Sequence, residues 1–281
     1  MSGKILVIGA TGNVGAPLVA ELASRGEKVK AAARTKPANL PNGAEWVKFD
    51  YADVASIDTL LGDVDRIYAL TPAGSLDPIG LLTPIVKAAA ARGIKVVLQT
   101  ALGVDADDNI PVRQVEIALE KSGAPWVVLR PNWFSDNLVN YWGEGVKAGV
   151  LRLPAGDAAS SLIDTRDIAA SAAGALTSDA HNGKAFNLTG PAAYTYAQAA
   201  ELLSKAIGRQ VTYTAVDGET FVNESVAHGV PQPYAEFLAA IFHPVAQGWT
   251  AGVTGDVKTL SGKEPRSLET TIADLAPKLK A

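Results

Sequence analysis

The stretch Lys4 to Gly15, KILVIGATGNVG, constrains this chain more than any other. Ile5, Leu6, Val7 and Ile8 form a short unbroken apolar run, which suits a strand buried on both faces of a parallel sheet. The run stops at Gly9, and Gly12 and Gly15 follow. Beyond them Leu18, Val19, Leu22 and Ala23 share one stripe, so residues 17–24 read as a helix. Pro17 suits its first turn, where an N–H is not needed. Strand, glycine turn and helix in that order make a dinucleotide site. Gly9 permits the tight turn, Gly12 lets backbone approach a pyrophosphate, and Gly15 lets the helix pack closely on the strand. The helix N-terminus offers the phosphates free N–H groups and a partial positive charge. The spacing is G-x-x-G-x-x-G rather than G-x-G-x-x-G, so the strand before and the helix after carry the reading.

A second strand over 29–33 ends at Arg34, with Lys36 two residues on. About 20 residues past the glycines an NAD enzyme usually carries an acid for the ribose 2′-hydroxyl. Two cations and no acid stand here, which favours NADP(H), because a guanidinium holds a 2′-phosphate in a bidentate way. A solvated basic turn is the alternative. The third strand, 46–49, leads into Asp50, which suits either the adenine amino group or the cap of the next turn. Further strands are expected at 66–70, 94–99 and 126–129, with helices at 56–61, 77–92 and 111–121. This alternation, with about 25–30 residues per unit, predicts an α/β protein with a Rossmann-type doubly wound parallel sheet over residues 1–131.

From residue 132 the periodicity loosens. Strands are expected at 161–163, 185–188 and 211–216, and helices at 166–176, 196–207, 234–242 and 268–278. Residues 132–281 therefore read as a smaller C-terminal α/β lobe, partly interleaved with the sheet. The 48% hydrophobic share supports a sizeable core. A net charge of -4 without a long basic run argues against nucleic acid as a partner. The absence of cysteine excludes disulfides, thiolate catalysis and zinc–cysteine sites. His181, His228 and His243 are dispersed without ligand spacing, so no metal is expected. With Lys4 already at the first strand and no apolar run near about 18 residues, neither signal peptide nor membrane span is expected. A cytoplasmic protein with a small-molecule partner, and with oligomerisation open, is the expectation.

Several stretches together resemble one family. GATGNVG, Arg34, RPNWF at 130–134, DTRDIA at 164–169, NLTGP at 187–191, GVP at 229–231 and LSGKEPRSL at 260–268 are similar to the NmrA-like group of atypical short-chain dehydrogenases/reductases. Within it the chain looks most like bacterial NAD(P)H-dependent reductases of quinones and conjugated dyes. The resemblance implies a nicotinamide cofactor along the carboxyl edge of the sheet and substrate between it and the C-terminal lobe. By position it gives Gly9, Thr11, Gly12, Asn13 and Val14 to the pyrophosphate turn and Arg34 to the 2′-phosphate. Thr71 and Thr100 fall beside the nicotinamide half, and Trp133, Phe134 and Tyr141 in the substrate pocket. For each aromatic, plain core packing is the competing reading. His228 lies in the lobe expected to cover substrate.

One departure selects among reactions. Ordinary short-chain dehydrogenases use a Tyr-x-x-x-Lys pair after the fifth strand to protonate a carbonyl oxygen. No Tyr occurs between Ala101 and Pro125; the matching helix reads PVRQVEIALEKSG, and Glu116 within it or a residue of the covering lobe is the candidate proton donor for an imine or alkene. Arg130 is expected to tie the sixth strand to neighbouring carboxylates. Hydride delivered to a simple ketone leaves a strongly basic alkoxide, whereas a quinone becomes a stabilised aromatic anion that water protonates. The expected function is NADPH-dependent hydride transfer to a quinone-like or other conjugated acceptor. The alternatives are a non-catalytic NAD(P)-sensing regulator and an imine or alkene reductase. Replacing Arg34 with Ala is expected to weaken NADPH binding about tenfold or more while leaving NADH affinity near its starting value, measured by fluorescence titration.

Overall fold

The structure is a computed structural model that describes residues 3–280, with the side chains of all but Val54 and Ala55. Its elements begin with β1 (Lys4–Ile8), α1 (Gly15–Ser24), β2 (Val29–Ala33), β3 (Ala44–Lys48), α2 (Ile57–Leu60), β4 (Val64–Leu70) and α3 (Pro78–Ala90). There follow β5 (Lys95–Gln99), α4 (Pro111–Glu120), β6 (Trp126–Pro131), α5 (Asn137–Asn140), α6 (Gly143–Lys147), β7 (Val150–Leu153) and β8 (Ala159–Ser160). Next are α7 (Thr165–Thr177), β9 (Lys184–Leu188), β10 (Tyr194–Thr195), α8 (Tyr196–Ile207), β11 (Thr212–Ala215) and α9 (Gly218–Ala227). The chain closes with α10 (Gln232–Ala246), α11 (Asp256–Ser261), α12 (Leu268–Leu275) and α13 (Pro277–Lys280).

The chain forms two units. The first holds the residues up to Pro131 together with Thr165–Leu188 and Asp256–Lys263. Its seven strands lie in the order β3-β2-β1-β4-β5-β6-β9, every pair parallel. This is a Rossmann-type doubly wound sheet. Strand order reverses between β1 and β4, and ligands in such sheets sit outside the carboxyl ends of the strands at that point. On one face Leu6, Ile8, Ile67, Ala69, Val96, Leu98 and Val128 pack with Leu82 and Ile85 of α3 and Val115 and Leu119 of α4. Helices α1 and α7 pack together and against the central strands. Because both faces are covered, β1 and β5 read as apolar runs instead of alternating.

Helix α7 is buried around its circumference, which its Ala-rich sequence permits. An added Cβ at Gly174 would stand 1.9 Å from the Leu260 carbonyl oxygen of α11, so only glycine allows this contact. Segments 165–188 and 256–263, part of the C-terminal stretch expected to interleave with the sheet, belong to the first unit. The pairing of β9 with β6 joins residues far apart in the chain, and local periodicity carries no trace of it.

The second unit comprises Asn132–Asp164, Thr189–Gly255 and the residues from Glu264 on. It holds a parallel pair, β7 with β11, and an antiparallel pair, β8 with β10. Helix α8 opens on a capping box of Thr195 and Gln198 and closes at Gly208, whose φ of 74° suits glycine. Tyr196, Leu203, Phe221, Leu238, Phe242 and Ile272 share its core. Two local expectations differ from the structure. The strand expected at 161–163 is shorter and earlier, at β8, while Ile163 makes an isolated parallel bridge to Phe134. Helix α9, not anticipated from its weak stripe, starts on Asp217, whose carboxylate accepts from the Thr220 N–H at 2.7 Å. Residues 228–231 form the turn from α9 to α10.

Gly174→Ala is expected to destabilise the protein by about 3 kcal/mol, because backbone must move to admit one methyl group. Thermal unfolding should show a Tm lowered by about 6–12 °C. Gly62→Ala, where an added Cβ meets nothing within 4 Å, should leave the Tm close to that of the parent protein.

Candidate active site

The glycine turn follows β1 at the strand-order reversal. Gly9 has φ 73°, and Gly12 N–H donates to the Gly9 carbonyl at 2.9 Å. A Cβ at Gly15 would stand 2.1 Å from that same carbonyl oxygen, so the first residue of α1 rests directly on the turn. The helix has neither a side-chain cap among the described residues nor an acidic residue in its first turn. Ala16 N–H is taken by the Gly12 carbonyl at 3.0 Å and Pro17 has none, so it is the N–H of Gly15 and those of the turn at Thr11, Asn13 and Val14 that offer themselves to an external anion. Arg34 and Lys36 are exposed just past β2. Asp50 Oδ1 accepts from the Ala52 N–H at 3.0 Å, the capping arrangement of the two open in the sequence. Past β4, the Thr71 hydroxyl is buried without a hydrogen-bond partner among the described residues. A narrow glycine cradle, an uncapped helix end, a cation pair and an orphaned hydroxyl along one strand edge fit a phosphorylated dinucleotide.

Past β5, Thr100 ends in a buried charge cluster. Its Oγ1 donates to Glu116 Oε1 at 2.6 Å. Glu116 lies on α4 and is fully buried. Arg130, at the end of β6, donates to both its oxygens, Nε to Oε1 at 3.1 Å and Nη2 to Oε2 at 2.7 Å. Arg113 Nη1 donates to Oε2 at 2.8 Å, and Arg130 Nη1 reaches Asp105 Oδ2 at 2.5 Å. Burial alone would raise the Glu116 carboxyl. Hydrogen bonds from Arg130 and then Thr100, with the guanidinium charge, outweigh it and hold the group below the ordinary carboxylate range. A carboxylate so held is a poor proton donor at neutral pH, so the proton-donor role weighed for Glu116 does not suit its surroundings.

In the second unit the aromatic residues gather. Trp133 is half-buried and stacks on Phe242 with ring centroids 4.3 Å apart; Trp142 lies 6.1 Å from Trp133. Asn132, buried, accepts from the Trp133 N–H and donates Nδ2 to the Thr250 carbonyl, each at 2.8 Å, so its amide orients Trp133. Tyr141 is half exposed and meets Trp142 edge-on; burial, then Tyr234, raise its phenol. Phe134 is half-buried. His228 is exposed, and its Nδ1 donates to the Glu224 carbonyl at 2.7 Å, closing α9. Trp133 and Tyr141 are thus joined through Trp142, whereas His228 is occupied as a helix end. Trp142 and the exposed Trp249 are not among the residues that the sequence assigns to a substrate pocket; five tryptophans without helical or strand spacing give no signal of which face they line.

The folded-state value of Glu116 lies below its unfolded one, so its stabilisation is present above the unfolded carboxylate range and is lost as pH falls through the folded value. Glu116→Gln is expected to lose about 3 kcal/mol at neutral pH and to show a flatter decline in acid than the parent protein, measured by urea unfolding across pH.

The sequence model of the NmrA-like family matches residues 1–279. The (4-alkanoyl-5-oxo-2,5-dihydrofuran-3-yl)methyl phosphate reductase of Streptomyces griseus is 34% identical, over 93% of this chain and 94% of its own. The NAD(P)H azoreductase of Xenophilus azovorans is 29% identical over 94% of each chain. Among solved structures, the triphenylmethane reductase of Citrobacter sp., complexed with NADP(H), superposes with a TM-score of 0.82 at 25% identity, covering 97% of this chain and 99% of that one. No helix among the described residues is long and apolar enough to cross a membrane. By the extent of that match and the shared fold, the chain belongs to the NmrA-like family.

Proposed function

We propose that the protein is an NADPH-dependent reductase of quinone-like and other electron-poor conjugated acceptors. The observation that carries the reading is the contact of Gly15 with the Gly9 carbonyl, which brings the uncapped end of α1 onto the turn at the strand-order reversal. Gly9, Thr11, Gly12, Asn13, Val14 and Gly15 hold the pyrophosphate, Arg34 and Lys36 hold the 2′-phosphate, and Thr71 and Thr100 stand on the nicotinamide side. When bound, NADPH supplies a hydride. Trp133 and Tyr141, with Trp142 between them, offer flat apolar surface to a planar acceptor.

No tyrosine lies between Ala101 and Pro125 to protonate a nascent alkoxide, and hydrogen bonds hold the Glu116 carboxyl below the ordinary carboxylate range. An acceptor that delocalises the incoming electron pair needs no such group. Hydride adds to the conjugated system, the resulting anion is stabilised within the acceptor, and water delivers the proton. Positioning then supplies most of the acceleration. The azo, triphenylmethane and unsaturated furanone compounds in the relatives' names share that conjugated, electron-poor character, which supports the reading.

Purified protein mixed with NADPH should oxidise it in the presence of a benzoquinone, an azo dye or a triphenylmethane dye, and should leave a simple dialkyl ketone untouched, followed by absorbance of the reduced nicotinamide. Preference for the ketone would overturn the acceptor assignment. NADPH binding with no turnover across the panel would favour a sensor of the nucleotide.

A further inference from the structure

A hydroxyl has one hydrogen and two lone pairs, so a fixed donor bond decides what it offers elsewhere. Thr100 Oγ1 gives its hydrogen to Glu116, which is fully buried and accepts from Arg130 through both oxygens and from Arg113. The carboxylate cannot turn away, because each of its oxygens already takes a guanidinium N–H. The Thr100 oxygen therefore presents only acceptor capacity to anything outside the cluster. It stands at the carboxyl end of β5, three strands from β2 and Arg34 in the sheet order. Three strand spacings make about 14 Å, the reach of an extended dinucleotide whose pyrophosphate sits at β1 between them.

We infer that Glu116 is a positioning residue, which locks the Thr100 hydroxyl as a one-way acceptor for the carboxamide N–H of the nicotinamide. The inference rests on the dinucleotide reading above and deepens it. Its cost in buried charge is otherwise unexplained: a hydrophobic side chain on α4 would pack beside Leu119 and Val115 without needing two guanidinium groups. It also yields a specific prediction for Gln at this position. The amide oxygen of a glutamine is drawn to the site facing Arg130 Nη2 and Arg113, where two donors converge, which leaves its NH₂ facing Thr100. The hydroxyl then accepts from the glutamine and turns its hydrogen outward, so that it meets the carboxamide donor to donor.

The test uses the whole protein and equilibrium binding, with NADPH, the reduced 3-acetylpyridine analogue that lacks the amide N–H, and adenosine 2′,5′-bisphosphate, which fills only the adenosine end. Glu116→Gln and Thr100→Val are each expected to weaken NADPH about tenfold, the scale of one hydrogen bond, with bisphosphate affinity retained. Thr100→Ser, which restores the hydroxyl, should regain NADPH affinity. The parent protein should prefer NADPH to the acetylpyridine analogue about tenfold, and both damaging variants should erase that preference. Equal weakening of NADPH and bisphosphate in Glu116→Gln, or an intact preference for NADPH in Thr100→Val, would overturn the inference and leave the cluster a structural clamp. Failure of the parent protein to bind NADPH would instead remove the dinucleotide reading itself, and the inference with it.

Discussion

The organisation of the first unit depends on the close approach of two backbones, the first residue of α1 against the carbonyl of Gly9. With 2.1 Å between that oxygen and any Cβ at Gly15, no other residue admits the contact. The approach seats the helix on the strand-order reversal between β1 and β4, where the strand ends diverge. The rest of the edge is arranged outward from this point. Cations lie past β2 on one side, and the hydroxyls of Thr71 and Thr100 lie past β4 and β5 on the other.

The far end of that edge is governed by charge. Glu116 and Arg113 come from α4, Arg130 from the end of β6 and Asp105 from the short 3₁₀ turn after β5, so the full cluster exists only once the sheet is assembled. Its carboxylate is ionised because guanidinium hydrogen bonds outweigh its burial. This sets the chemistry available there: the group holds and orients, and does not give up a proton.

The second unit is built on aromatic packing in place of a large sheet. Phe242 of α10 contacts Trp133, Trp142, Tyr196 and Phe221, so a single helix side chain ties four aromatic rings from separate segments. Asn132 and Ser161 pin the backbone near Thr250 from beneath, the serine hydroxyl donating to the Gly252 carbonyl at 2.7 Å. The exposed Trp249 thus projects from a segment whose main chain is held by buried polar groups.

The amino-acid sequence by itself determined the strand–turn–helix beginning, the run of alternating strands and helices, and the cation in place of an acid after β2. These are local patterns, set by glycine stereochemistry, side-chain periodicity and charge within a few residues. Tertiary structure decided the rest. The joining of β9 to β6, the fit of α11 over Gly174, and the bidentate hold of Arg130 on Glu116 each bring together residues from separate elements. Glu116 shows the difference most directly. In the sequence it is one acid on an amphipathic helix, free to be donor or surface charge; packing removes its water, adds the Arg130 guanidinium and the Thr100 hydroxyl to its helix neighbour Arg113 and so lowers its titration, because the ionisation of a carboxyl group is a property of its surroundings and not of its spacing.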